Sequence, residues 1–273
     1  MSIEEKQNFQ TSQDSDVTEY PKNEKEVLNF IKKFYKSGIP IELIGSGSKS
    51  KMGKPIQCSK TLNLSKLNGI IEYLPEELYI KVQACASIKQ IQEELKKNNQ
   101  QLAFEPIDFG YLLNGKSNYG TAAGCIACNI SGPRRFKAGS VRDHVLGFKG
   151  VNGKGEIIKS GGTVVKNVTG YDLSKLICGS YGTLVALTEI TLKVLPAAES
   201  GKTLIIHNQR IESATHFLDK AISSSNDISG ATFLPIEPKV PGCVMNIEQT
   251  FKLNDLKHKG SLTAIRIEGS KNS

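Results

Sequence analysis

The chain has no tryptophan, only 7% aromatic residues and four histidines among 273 residues. Its lysines are scattered among acids, at 22, 25, 32, 33, 36, 49, 51 and 54 and onward. No helix-turn-helix, RNA-binding or zinc-finger pattern is present, which disfavours a nucleic-acid partner. No apolar run is long enough to cross a bilayer. The opening MSIEEKQNFQTSQDSD has neither a basic n-region nor an apolar h-region, which argues against export. The six cysteines, at 58, 85, 125, 128, 178 and 243, fall in strand-like and small-residue stretches, as expected of reduced thiols in a cytosolic chain rather than a disulfide framework. Two common phosphate motifs are also missing. No G-x-G-x-x-G opens a helix in a βαβ unit, and GSGSKS lacks the P-loop spacing, so a nicotinamide Rossmann domain and an NTPase are disfavoured.

What is present is a globular composition, 38% hydrophobic and 23% charged, with a formal charge of +8. A basic balance suits an anionic cofactor, an acidic partner or a membrane surface, although most of these lysines read as a solvated surface. Residues 1–20 cannot bury enough apolar area to offset ordering and are expected to be disordered. From Pro21, Val27, Leu28, Ile31, Phe34 and Tyr35 share one helical face, and Ser37-Gly38 stops the helix. Strand-like stretches follow at IPIELIG, TLNLS, GIIEYL and LYIKVQA, then a helix from about Ser87 to Asn98 with Ser87 and Gln90 as a capping box. Residues 105–140 show no clear period and read as a long functional loop. Alternation on both sides of Asn152-Gly153 predicts a β-hairpin. A short helix at Tyr171–Ile177 and a strand ending at Pro196 follow. From 197 the glycine density falls, and TLIIHN, a helix near Ile211–Ser223, GATFLP and LTAIRIEG predict a small α+β unit.

Three loops of small residues carry the chemistry: Gly45-Ser46-Gly47-Ser48-Lys49, Gly120-Thr121-Ala122-Ala123-Gly124 and Gly179-Ser180-Tyr181-Gly182-Thr183. Each adjoins a predicted strand or helix start, where exposed backbone N–H groups can converge on phosphate oxygens, and longer side chains would hold the anion away.

In these segments the sequence resembles the vanillyl-alcohol-oxidase (PCMH-type) FAD-binding superfamily. IELIGSGSKS is similar to its pyrophosphate loop, TAAGCIACNISGPRR to its second loop, and VRDHVLG with GYDLSKLICGSYGTLVALTEITLKVLP to its flavin-contacting segment. Within it, SGPRR…AGSVRDHVLG…VKNVTGYDLSKL resembles the FAD-binding subunits of bacterial glycolate oxidases. The resemblance covers about residues 40–200. It implies an α+β fold: a PCMH-type FAD-binding domain of two α+β subdomains over 21–196, after a disordered 1–20, followed by a small, partial cap at 197–273. It implies noncovalent FAD, with Gly45, Ser46, Gly47, Ser48 and Lys49 at the pyrophosphate. Thr121, Ala122, Ala123, Gly124, Gly182 and Thr183 would lie along pyrophosphate and isoalloxazine, Ser131, Gly132 and Asp143 would complete the pocket, and Ile190 would offer backbone to the flavin edge or the adenosine. It further implies oxidation of glycolate, a 2-hydroxy acid, to glyoxylate beside a second FAD-containing subunit and an iron–sulfur subunit. The location implied is cytoplasmic, with peripheral attachment to the inner membrane allowed through the complex.

Ala123 and Asn129 stand where that pattern has glycine. None of the histidines 144, 207, 216 and 258 falls in a flavin-facing motif, so a covalent histidyl link is unsupported, and the chain ends after RIEGSKNS where the family continues. No catalytic base can be named. Cys125-x-x-Cys128 reads as packing before a redox or metal pair, His144 as a structural histidine before a base, and Arg134-Arg135 equally as an anion grip or a surface ion pair. Lys166 and Tyr171 flank the third motif as orienting residues, with packing an equal reading of Tyr171. Valine at 182 is expected to block FAD while leaving the fold largely intact. A stand-alone oxidase of another hydroxy acid or alcohol, and an assembly subunit that has lost FAD, remain as alternatives.

Overall fold

The computed structural model describes residues 17–53, 57–114, 117–162, 171–235 and 261–271. It divides into two compact units, one of residues up to Ser131 plus Ser140–Leu195, the other of Gly132–Gly139 plus Pro196 onward.

The first unit holds two sheets of three or more strands, and β6 (Gln100–Gln101) pairs with β10 (Leu195–Pro196) in a further two-stranded one. Strands β1 (Val17–Glu19), β2 (Ile41–Ile44) and β3 (Lys60–Asn63) form a parallel sheet in the order β1-β3-β2. The expectation that residues 1–20 are disordered is therefore corrected at 17–19, which pair with Lys60–Leu62; residues 1–16 lie outside the described residues. Helix α1 (Glu24–Ser37) starts on Asn23, whose side chain accepts from the Glu26 N–H, and ends where Gly38 turns left-handed at φ 67°. Its buried stripe of Val27, Phe30, Ile31 and Phe34 packs with Leu62, Leu64, Val151 and Ala186 into one core.

The second sheet is antiparallel, in the order β4-β5-β9-β7-β8, from β4 (Ile70–Leu74), β5 (Tyr79–Gln83), β7 (Val145–Asn152), β8 (Ile157–Gly161) and β9 (Val185–Lys193). Helix α2 (Ile88–Lys96) lays fully buried Ile91 and Leu95 into its core, each worth about 2 kcal/mol of apolar burial. The Ser87 hydroxyl caps α2 by accepting from the Gln90 N–H. The β7–β8 turn is a longer loop than a two-residue corner: Asn152 Oδ1 accepts from both Lys154 and Glu156 N–H, which folds the chain back around one asparagine. Between β6 (Gln100–Gln101) and β7, the stretch without sequence period contains four short helices: α3 (Phe109–Asn114), α4 (Ala122–Ala127), α5 (Arg135–Ala138) and α6 (Val141–His144). None has more than six residues, too short for a 3.6-residue pattern to be read. Helix α7 (Leu173–Leu176), capped by Asp172, precedes β9.

In the second unit, β11 (Ser200–His207), β12 (Ile228–Leu234) and β13 (Leu262–Gly269) form an antiparallel sheet in the order β11-β13-β12, against which α8 (Ile211–Ile222) packs. The fold class is α+β, as expected.

Candidate functional site

Strand β2 delivers the chain into Gly45–Lys49. Gly47 turns left-handed at φ 75°, and its carbonyl accepts from the Ser50 N–H (3.2 Å) and hydroxyl (2.9 Å). The Ser46 hydroxyl donates to the Tyr119 carbonyl at 2.5 Å, which ties this loop to the segment before α4. The backbone N–H groups of Ser46, Ser48 and Lys49 donate to none of the described residues.

Helix α4 is built the opposite way. Its cap Thr121 accepts from the Gly124 N–H at 3.3 Å, the Ala122 N–H donates to Ala86 O at 3.0 Å, and the Ala123 N–H donates to Ala84 O at 2.8 Å. The third loop is stapled to the end of α4 by Gly179 N–H to Ile126 O (3.1 Å) and Tyr181 N–H to Ala127 O (2.8 Å).

These three loops enclose a cavity of about 330 Å³, lined by Gly45–Ser50, Thr121, Ala123, Gly124 and Tyr181–Thr183. That is the low end of the range for small-molecule sites, about 300–1,000 Å³. Lys49 is its cation. The ammonium donates to the Ser48 hydroxyl at 3.0 Å and has no carboxylate partner among the described residues. The thiols lining or flanking the cavity are held neutral, because burial pushes Cys85 and Cys125 up to about 12 and Cys178 to about 11. Cys128 is raised for the same reason, against the opposing pull of Lys49. Among the described residues, Glu42 is the one carboxylate on the lining.

This donor set fits the diphosphate of FAD. It offers unspent N–H groups, an unpaired ammonium and little negative charge, over backbone that side chains would crowd. A Cβ on Gly124 would stand 3.0 Å from Thr121 Oγ1 and 3.1 Å from Lys49 Nζ, and one on Gly45 would stand 3.1 Å from Cys85 Sγ.

Of the residues singled out from sequence, the cavity gathers Gly45, Ser46, Gly47, Ser48, Lys49, Thr121, Ala123, Gly124, Gly182 and Thr183. It does not gather five others. Ala122 is 1% exposed under α4. Ser131 is spent on a structural bond, its hydroxyl accepting from the Val141 N–H. Gly132 belongs to the second unit. Asp143 caps α6, accepting from the Ser140 N–H at 2.8 Å and hydroxyl at 2.9 Å; these bonds hold its carboxyl below the usual range. Ile190 is fully buried and paired on both sides, with Val82 and Phe148, so neither its side chain nor its backbone is offered to a ligand; Leu187 lines the cavity instead. Leu187, Leu43, Cys85, Cys128 and Tyr181 are lining residues that motif reading passed over, since nothing in their types marks them.

Other expectations resolve similarly. Arg134 grips Glu268 of its own unit with contacts of 2.8–3.1 Å, so it serves an internal ion pair. His144 is buried against the Phe104 ring, 5.4 Å between centroids. Tyr171 is 94% exposed and does not pack. Cys125 and Cys128 are free thiols, and no group of metal ligands exists among the described residues. Lys166, Cys243 and His258 lie outside the described residues. Gly182 has φ 77° and its Cβ would meet Leu43 Cδ2 at 3.2 Å, so valine there strains the fold itself, contrary to expectation.

The FAD binding domain family model matches residues 15–161, more than half the chain. The protein belongs to this family of FAD-binding domains, and FAD is its cofactor. Among curated relatives, the glycolate oxidase subunit GlcE of Escherichia coli (strain K12) is 41% identical over 165 residues, covering 60% of this chain and 45% of that protein. The glycolate oxidase subunit GlcD of Bacillus subtilis (strain 168) is 31% identical over 217 residues, 79% of this chain and 43% of that one. The D-lactate dehydrogenase of Anaerostipes hadrus is 37% identical over 151 residues, 55% and 30% of the two chains. The chain thus spans under half the length of these relatives. A structure of alkyldihydroxyacetonephosphate synthase superposes with a TM-score of 0.72 at 19% identity, over 94% of this chain and 48% of that one, a likeness of fold.

Proposed function

We propose that the protein is the FAD-binding subunit of a glycolate-oxidising dehydrogenase, working beside a second FAD-containing subunit and an iron–sulfur subunit. Residues 21–196 form its FAD-binding domain, and 197–273 a small partial cap. The observation that carries this is the cavity itself: three separated loops of small residues converge on one unpaired lysine, in a chain similar to glycolate oxidase subunits and D-lactate dehydrogenases.

Bound FAD supplies a two-electron acceptor for a carbon bearing a hydroxyl. The chain's own contribution is binding and electrostatics. The N–H groups at 46, 48 and 49 would hold the diphosphate of bound FAD, and Lys49 would neutralise its charge. Burial keeps Cys85 and Cys125 as thiols, so no sulfur anion opposes the phosphates. None of His144, His207 and His216 lines the cavity, which supports a noncovalent cofactor. No helix among the described residues is long and apolar enough to cross a membrane; peripheral attachment at the inner membrane through the complex is part of the proposed function.

The test is the visible spectrum of the purified chain before and after acid precipitation, followed by dye reduction with glycolate and D-lactate, alone and with the partner subunits. A flavin band released to the supernatant, with glycolate turnover only in the assembled complex, is expected. Turnover by the chain alone would replace this with a stand-alone dehydrogenase. A colourless folded chain that takes up no FAD would make it an assembly subunit.

A further inference from the structure

The third loop contains an aromatic residue in a backbone conformation that its side chain disfavours. Three positions between 179 and 182 lie in the left-handed region: Gly179 at φ 84°, Tyr181 at φ 53° and Gly182 at φ 77°. Two are glycines, for which this conformation is free, and the third is a bulky aromatic, for which it is an outlier. The backbone there is fixed, by Tyr181 N–H to Ala127 O at 2.8 Å and Thr183 N–H to Ser180 O at 3.0 Å. A strained aromatic is usually compensated by burial of its ring. Tyr181 is 62% exposed, and it lines the cavity beside the Gly45–Lys49 loop. An aromatic side chain left mostly exposed on the lining of the cavity, in a backbone conformation that disfavours it, is explained if a ligand ring packs against it.

We infer that Tyr181 is a stacking platform for one of the two planar rings of bound FAD, and that it is kept in place of glycine for that contact. The inference rests on the FAD-binding function proposed above. It requires the ring face, not the hydroxyl, and it makes the residue destabilising in the absence of cofactor.

The experiment compares the apoprotein of the full chain with Tyr181→Phe, Tyr181→Ala and Tyr181→Gly, titrated with FAD, ADP and FMN, with the melting temperature of each apoprotein measured alongside. Tyr181→Phe should bind FAD as the parent does. The alanine and glycine variants should bind it roughly tenfold more weakly, the size of an aromatic–base stack. Tyr181→Gly should melt no lower than the parent, because it relieves the left-handed strain. Weakening of ADP binding alone assigns the contact to the adenine, and of FMN alone to the isoalloxazine; either supports the platform. Unchanged FAD affinity in Tyr181→Ala overturns it. So does a loss in Tyr181→Phe equal to that in Tyr181→Ala, or a melting temperature in Tyr181→Gly that falls along with affinity. If the parent binds none of the three ligands, the FAD function fails with it; if the parent binds FAD and the variants match it, only the platform fails.

Discussion

The loops at 45–49 and 120–124 look alike as sequence, both short, small-residue and placed next to regular structure, yet they spend their amides in opposite ways. The first leaves the N–H groups of Ser46, Ser48 and Lys49 without a described acceptor and adds an unpaired ammonium. In the second, Ala122 and Ala123 donate to Ala86 and Ala84, and Gly124 to Thr121. Glycine and serine in one loop leave backbone N–H groups without a described acceptor, and alanine in the other lets a helix start sit hard against a strand end. Composition cannot separate these, because both need the absence of side-chain bulk.

The contrast can be broken or sharpened by substitution. The largest effect is expected from Lys49→Glu, which places like charge beside the diphosphate and should weaken FAD binding at least about 100-fold; Lys49→Met should cost about 30-fold, with apoprotein melting changed by no more than about 2 °C. Equilibrium titration against FAD measures this, and a parent affinity that falls at high salt while that of Lys49→Met does not would mark the contribution as electrostatic. Gly182→Val should lower stability and affinity together, with a fall in melting temperature of about 5 °C, since a β-branched residue is forced to φ 77° against Leu43. A variant that melts like the parent but no longer binds FAD would put Gly182 with the ligand-facing loop alone.

Thr121→Val removes a helix cap and should cost about 1 kcal/mol of apoprotein stability while FAD affinity stays within about threefold. If affinity falls as far as in Lys49→Met, the second loop contributes to binding as much as the first and the contrast fails. The smallest effect is at Asp143, whose folded carboxyl is depressed by the bonds from Ser140. Its stabilising contribution is complete above the unfolded value of about 4 and is lost as pH falls through the lower folded value. Melting curves of the parent and Asp143→Asn should therefore differ at neutral pH and converge in acid.

Much of the architecture was legible in the sequence because it rests on long periods. The stripe of Val27, Ile31 and Phe34, the face of Ile91 and Leu95, and the alternation through β7 and β8 each repeat often enough to read. The helices between 109 and 144 were missed because six residues or fewer complete less than two turns. At the site, the loop positions were legible and the walls were not. Leu187 was not legible beside Ile190, three places along the same strand: strict alternation puts residues three apart on opposite faces, and only the register shift opposite Lys149 and Gly150 brings the two to one face, which the sequence does not mark. Asn129, which departs from glycine, proves compatible for a physical reason: it adopts φ 50°, and asparagine is among the few other residues that enter that region readily.

The bonds from Ala122 and Ala123 to Ala86 and Ala84 have a consequence for how a ligand is received. They stitch the helix start to chain far earlier in the sequence, so that side of the cavity exists only once the large antiparallel sheet is assembled, and its amides should exchange with deuterium as slowly as those of the sheet interior. The opposite side is tied through the Ser46 hydroxyl rather than through its amides, so the N–H groups of Ser46, Ser48 and Lys49 should exchange quickly until a ligand arrives. If the exchange rates divide this way, ligand binding should protect the amides of the first loop far more than those of the second, which makes capture one-sided.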